Sequence, residues 1–407
     1  MTGQQKQIGL FLAICIVTGN MIGSGIYLLP AALSSVGSSS LLAWGLAAVG
    51  AVILAIVYAR LAVTRPANEG LIEYAKAACH PAIGFLNWAA YWLACWMGNV
   101  AVLLAAIGYF KAIFSLELSR GGDTGLLILS IWLVAGANLI GPRFIGRFSA
   151  ATLALGLAPI VAAIVIGVLY FDPAMFAASW NVSGEPLTSA VSPLVLTIFW
   201  AFLGLESANA VSKVIDNPNR NVPRAAVIGV IIAALVYASA STALFGLLPA
   251  DELKNSSAPF ADAIKVAIGP VAGVMIAIAA FARTIGCAAS WLLVTTEVNQ
   301  AASKTGYLPK FLSAKNETGP RVRDILVVAS LMTIVSLMTI SSTLNAQFIL
   351  IVDISVLMFL FVYGVSCFAL IRFSLTDRGN PHGASDRIIG LMGLAATIAI
   401  IFGYFAS

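Results

Sequence analysis

Apolar residues along this chain gather into long runs separated by short polar stretches, with none of the strict alternation that the strands of a membrane barrel would need. Eleven runs are long enough to cross about 30 Å of hydrocarbon as helices. They fall at roughly 8–33, 41–63, 83–115, 124–141, 148–170, 190–212, 224–248, 264–301, 325–341, 347–371 and 388–405. The pattern predicts an all-α polytopic membrane protein. The first run is too long for a cleavable signal and lacks a cleavage-like end, so it reads as the first span.

Two of the runs are interrupted. "TGNMIGSGIYLLP" (18–30) places Gly19, Gly23 and Gly25 with Thr18, Asn20 and Ser24 inside the first span, and "FWAFLGLESANA" (199–210) interrupts the sixth. Glycine weakens a helix, and every amide it frees in the bilayer must find a partner. A seam of small residues between packed helices is the plainer explanation. Asn20, Ser24, Gly25 and the matching break five spans later weigh against it, because paired interruptions mark transporters built from inverted repeats. The stretch from Gly19 to Gly25 is therefore expected to unwind at mid-membrane. Its free amides and the positive end of the second half-helix would face a carboxylate. This predicts a ten-helix core over 1–372, with repeats at about 8–170 and 190–372. A loop and one additional helix would follow over 373–407.

Composition supports the class: 60% of the 407 residues are hydrophobic and 10% charged. Seventeen of the 22 Lys and Arg fall on the side holding the N-terminus and four on the other, with Arg283 left inside a span. By the positive-inside rule the N-terminus is cytoplasmic, and an odd span count puts the C-terminus outside. The net charge of +5 then reflects topology and anionic lipid, with no nucleic acid as partner. Five cysteines without CxxC spacing and two histidines in loops give no metal or cofactor site. Polar loops at 64–81 and 303–324 have room for short interfacial helices. In "NPNRNVPR", Pro223 suits the first turn of the seventh span.

Candidate chemistry clusters at the breaks. Glu206 beside the second break either bonds freed amides and carries a proton or simply ties helices together. Trp200 and Trp291 read equally as packing and as ligand contacts, and Asn99, in a span nearly free of polar groups, reads more often as an interhelical hydrogen bond than as a ligand contact. Arg283 and Asp353 are intramembrane charges, and a structural ion pair between them is one account.

"GNMIGSGIYLLPA", "YWLACWMGNVA" (91–101), "WNVSG" (180–184), "FWAFLGLESANA", "NPNRNVP" (217–223), "SAPFADA" (257–263) and "GYLPKFL" (306–312) resemble the basic amino acid/polyamine antiporters. These belong to the amino acid–polyamine–organocation superfamily. The resemblance runs from about residue 7 to 372. It implies a LeuT-like 5+5 fold with discontinuous helices 1 and 6, working by alternating access. It also implies residue roles. Ser24 and Gly25, with Asn20 and Gly23 in the same stretch, would take the substrate carboxylate. The carbonyls of Met21, Trp200 and Leu203 would take the α-ammonium, and Asn99 with the carbonyls near Ala94 and Cys95 the distal amine or guanidinium. Trp200 and Trp291 would stack on the side chain. Tyr91, Glu206 and Tyr363 would gate, and Arg283 joins them as a candidate for gating or proton coupling. The related antiporters carry small or uncharged residues at Arg283 and Asp353. Asp353 falls where a residue would face the distal end of the substrate. The family has twelve spans where this chain shows eleven; a homodimer is the assembly it suggests.

The expected function is exchange of a cationic amino acid (arginine, lysine or ornithine) for its amine (agmatine, cadaverine or putrescine). The alternative is a neutral amino acid carrier or exporter of the same superfamily, since one backbone site accepts any α-amino acid. No paired carboxylates and no Ser/His/Asp set point to an enzyme.

Overall fold

The computed structural model describes residues 9–23, 25–65, 71–206, 215–308, 321–340, 342–377 and 382–406, without the side chains of Ile16, Asn20, Ala301, Lys304 and Thr305. Among them lie sixteen α-helices. These are α1 (Leu10–Met21), α2 (Leu29–Leu33), α3 (Leu41–Thr64), α4 (Leu71–Ala78), α5 (Pro81–Phe114), α6 (Arg120–Ile140), α7 (Pro142–Tyr170) and α8 (Pro173–Ala178). There follow α9 (Leu187–Phe199), α10 (Pro218–Leu247), α11 (Ala250–Asn255), α12 (Pro259–Ile268), α13 (Pro270–Thr305), α14 (Val322–Met338), α15 (Leu344–Thr376) and α16 (Gly383–Phe405). Eight are long and apolar enough to cross a membrane. The first and sixth runs each hold a shorter apolar helix, as a broken span should.

α5 is the axis of the bundle. Every residue from Val100 to Ile107 is buried, which a helix achieves only when neighbours cover all its faces. α13 and α15 flank it, α7 packs on α13, and α10 joins α1 to α3. At its start the His80 ring accepts from the Ala82 amide at 3.2 Å, and Pro81 needs no partner for a missing N–H.

Both expected breaks are present. α1 continues through Gly19 and ends at Met21, three residues later than the glycine pattern suggested. The chain then passes a single 3-10 turn, Gly25–Tyr27, before α2. In the sixth run α9 gives way at Trp200–Phe202 to one 3-10 turn, Leu203 is extended, and Gly204 takes φ +101°, open to glycine at little cost. Buried phenols satisfy the exposed backbone: Tyr109 donates to the Tyr27 carbonyl at 3.0 Å and Tyr237 to that of Ala201 at 3.1 Å.

Two expectations need correction. The apolar run 264–301 is divided: Gly269, at φ +101°, ends α12, and Pro270 opens α13. Pro223 does not begin the seventh span. Pro218 takes the first turn of α10, because Asn217 stands in the left-handed region at φ 44° and the Asn221 side-chain amide donates to the Asp216 carbonyl and carboxylate, both at 2.8 Å. Of the interfacial helices, α4 occupies part of 64–81; residues 309–320 lie outside those described.

At one end of the bundle Arg60 of α3 meets Asp386 of α16 at 2.6 Å, with Asp386 1% exposed. Gly393 of α16 lies so close to Cys367 that a Cβ there would come 2.7 Å from its Sγ. The last helix is thus seated directly on α3 and α15.

Candidate functional site

The two breaks meet α5 and α13 around one central cavity with room for about 30 Å³. That volume holds a water or two. The α1 break contributes Met21, Gly23 and Gly25, and α5 contributes Ala94, Cys95 and Asn99. Trp200 and Leu203 of the second break and Trp291 of α13 close it. Nine expected residues are therefore brought together. Ser24 lies outside the described residues, as does the side chain of Asn20.

Trp200 fills the centre. A Cβ on Gly25 would stand 2.7 Å from its Cδ1 and Nε1, and one on Gly98 would stand 2.5 Å from its Cη2. Since real Cβ atoms do not approach so closely, both glycines are needed for the indole to lie where it does. Gly98, Val102, Cys287 and Phe359 also line the cavity, and the sequence reading missed them. Gly98 sits in "YWLACWMGNVA" next to Asn99, and a small residue one position before a buried Asn was the available signal.

Asn99 is 1% exposed. Its amide nitrogen donates to the Ala288 carbonyl at 3.0 Å, while its oxygen is buried without a partner. An unpaired buried acceptor at a cavity wall is poised for a donor that enters from outside. Trp291 packs edge-on to Phe359, with ring centroids 6.3 Å apart, and Phe359 in turn contacts Tyr91 and Tyr363.

Glu206 gathers three donors. Its Oε1 accepts from Tyr91 at 3.3 Å; its Oε2 accepts from Tyr363 at 2.7 Å and from the Gly204 amide at 3.2 Å. The carboxyl thereby ties the second break to α5 and α15.

Asp353 and Arg283 depart from expectation. Asp353 does not line the cavity; its Oδ1 accepts from Thr197 of α9 at 2.7 Å, and the Tyr404 hydroxyl of α16 serves the same carboxyl. α15 turns that face toward α9 and α16, away from the centre. Arg283 lies behind the α1 break, donating from Nη2 to the Ile22 carbonyl at 3.3 Å. The two charges form no ion pair; they lie among different helices, each with its own contacts.

Comparison with known proteins gives a consistent picture. The family model described as amino acid permease matches residues 8–407. The chain is 34% identical over 375 residues to the cadaverine/lysine antiporter of Escherichia coli (strain K12), covering 90% of this chain and 84% of that protein. It is 32% identical over 404 residues to the putrescine transporter PotE of the same strain, covering 99% and 91%. The putrescine transporter PotE of Haemophilus influenzae is 31% identical over 370 residues, covering 91% and 85%.

Proposed function

The chain belongs to the amino acid permease family, and from that premise we propose that this multi-pass membrane protein exchanges a cationic amino acid for its decarboxylated amine. The observation that carries the proposal is the polarity of the central cavity. One end is the opened backbone of α1 at Gly23 and Gly25; the other holds the unpartnered oxygen of Asn99. A carboxylate suits the first, which lies on the N-terminal side of the 3-10 turn and α2, and a distal ammonium suits the second. Trp200 and Trp291 line the space between, where stacking on an indole would be worth about 0.5–2 kcal/mol to a cation. The antiporter of lysine and cadaverine among the relatives supports this choice of solutes.

Glu206, Tyr91 and Tyr363 form the gate in this reading, and Glu206 carries the proton. The two breaks belong to inverted repeats over about 8–170 and 190–372, with 373–407 outside the transport core. The N-terminus faces the cytoplasm of a bacterial inner membrane and the C-terminus faces out. Two copies pair as a homodimer; light scattering in detergent counts them, and a monomer would remove the dimer alone.

A neutral amino acid carrier is the second reading. It is favoured by the displacement of Asp353, which leaves no acid in the cavity lining among the described residues, while Glu206 already holds three donors. Proteoliposomes loaded in parallel with unlabelled amine (agmatine, cadaverine or putrescine) and with unlabelled leucine decide between them. Uptake of labelled arginine, lysine or ornithine against internal amine supports the exchanger. Exchange confined to leucine, methionine or alanine supports the neutral carrier and overturns the first reading.

A further inference from the structure

Arg283 is buried, 5% exposed, on the face of α13 that meets α7 and the α1 break. Its stem lies on Gly156 of α7, where a Cβ would fall 2.3 Å from its Cγ. That glycine is what lets so long a side chain lie flat between two helices. The guanidinium ends beside Gly23: a Cβ there would stand 3.8 Å from Nη2 and 3.4 Å from the Cys287 Sγ. Gly23 and Cys287 both line the cavity, so the charge sits one residue behind its wall.

Little on the protein compensates this charge. Nη2 has the Ile22 carbonyl, and Nε is buried with no partner. No carboxylate lies within ion-pair distance among the described residues. The phenols nearby are engaged elsewhere, Tyr27 donating to the Gly156 carbonyl and Tyr237 to that of Ala201. A buried cation without an anion is unfavourable, and the deficit falls where the wall has no side chain. An anion entering at Gly23 and Gly25 would relieve it.

We propose that Arg283 is the fixed counter-charge for the carboxylate of the transported solute. It makes the site bind an amino acid about tenfold more tightly than the amine left when that carboxylate is removed. This rests on the reading of the cavity as the solute site. It assigns the two legs of exchange unequal affinities through one residue. The opened backbone hydrogen-bonds any carbonyl-bearing group, whereas Arg283 responds to its charge, and the two contributions are separable.

The test is a thermal-shift titration of the purified full chain in detergent with lysine, lysinamide and cadaverine. In the wild type, lysine should act at about one tenth the concentration of lysinamide, with cadaverine, which lacks the carbonyl as well, weaker than both. Arg283→Gln should bring lysine and lysinamide together by weakening lysine, and Arg283→Lys should keep most of the preference. Equal midpoints for lysine and lysinamide in the wild type would overturn the proposal whether or not any variant folds. So would an unchanged ratio in folded Arg283→Gln. If none of the three binds, the cationic-substrate reading fails by itself. Leucine, leucinamide and isoamylamine then make the same comparison, and equal midpoints there, or no binding by any of the six, would overturn the role of Arg283.

Discussion

The indole of Trp200 lies against Gly25 so closely that one added methyl group would meet its Cδ1 and Nε1 at 2.7 Å. The glycine at the first break and the tryptophan at the second are thus fitted to each other. Gly25→Ala must push the indole aside. Overpacking of this kind costs typically about 1–3 kcal/mol, so the melting temperature in detergent should fall. Gly25→Val should also abolish binding of amino acids while the protein still inserts. Unimpaired binding in a folded valine variant would remove the α1 break from the site.

Gly98 supports the other edge of the same ring, where a methyl group in its place would stand 2.5 Å from Cη2. Gly98→Ala should lower stability as Gly25→Ala does, and Trp200→Leu should restore it, because the shorter side chain frees the space. A double-variant cycle of melting temperatures measures the coupling. Additive effects would mean that the indole does not bridge the two glycines.

Glu206 is held by Tyr91, Tyr363 and the Gly204 amide. Glu206→Gln keeps the shape and removes the titrating group, so uptake should persist with a flattened pH profile. Tyr363→Phe deletes the 2.7 Å bond and should change exchange rate more than affinity. A pH profile like that of the wild type in Glu206→Gln would reduce this carboxyl to a structural tie.

Asp353 should not set substrate choice. With its carboxyl bonded to Thr197 of α9, Asp353→Asn should leave the ratio of lysine to leucine binding unchanged. Asp353→Ala strands the buried Thr197 hydroxyl and should cost on the order of 1–3 kcal/mol. Selective loss of cationic substrates in Asp353→Asn would return this residue to the pocket.

Arg60 and Asp386 make the cleanest stability test. Arg60→Met removes the ion-pair contact of a carboxylate that is 1% exposed and should destabilise by on the order of 1–3 kcal/mol, a figure moderated by the partial exposure of Arg60 and by the carboxylate's other contacts. Adding Asp386→Leu should recover most of the loss. No recovery in the double variant would mean that the pair does more than neutralise itself.

Much of this was legible in the sequence for local reasons. The breaks show because glycines and small polar residues interrupt apolar runs at 18–30 and 199–210, whereas the α5 and α13 residues gained their roles from the family resemblance, since which helix faces meet the breaks is not a local property. The division at Gly269–Pro270 was written there too, since glycine before proline is strong punctuation, but the apolar composition on both sides masked it. Pro223 was misplaced because the cap depends on the left-handed Asn217 and the reach of Asn221, which spacing does not reveal. Opposite charge suggested pairing Arg283 with Asp353. Which way α13 and α15 turn those positions is a tertiary fact, and it sends one toward α7 and the other toward α9.

The small central cavity has an electrical consequence. Space for about 30 Å³ around Trp200 cannot hold a file of waters reaching both faces of the bundle. Without such a file the packed bundle insulates, and the membrane potential falls across its full low-dielectric thickness. A net charge carried from one face to the other crosses all of that voltage, about 2.3 kcal/mol per elementary charge for each 100 mV. Swapping a solute for one of different charge would therefore draw on the membrane potential over the whole crossing.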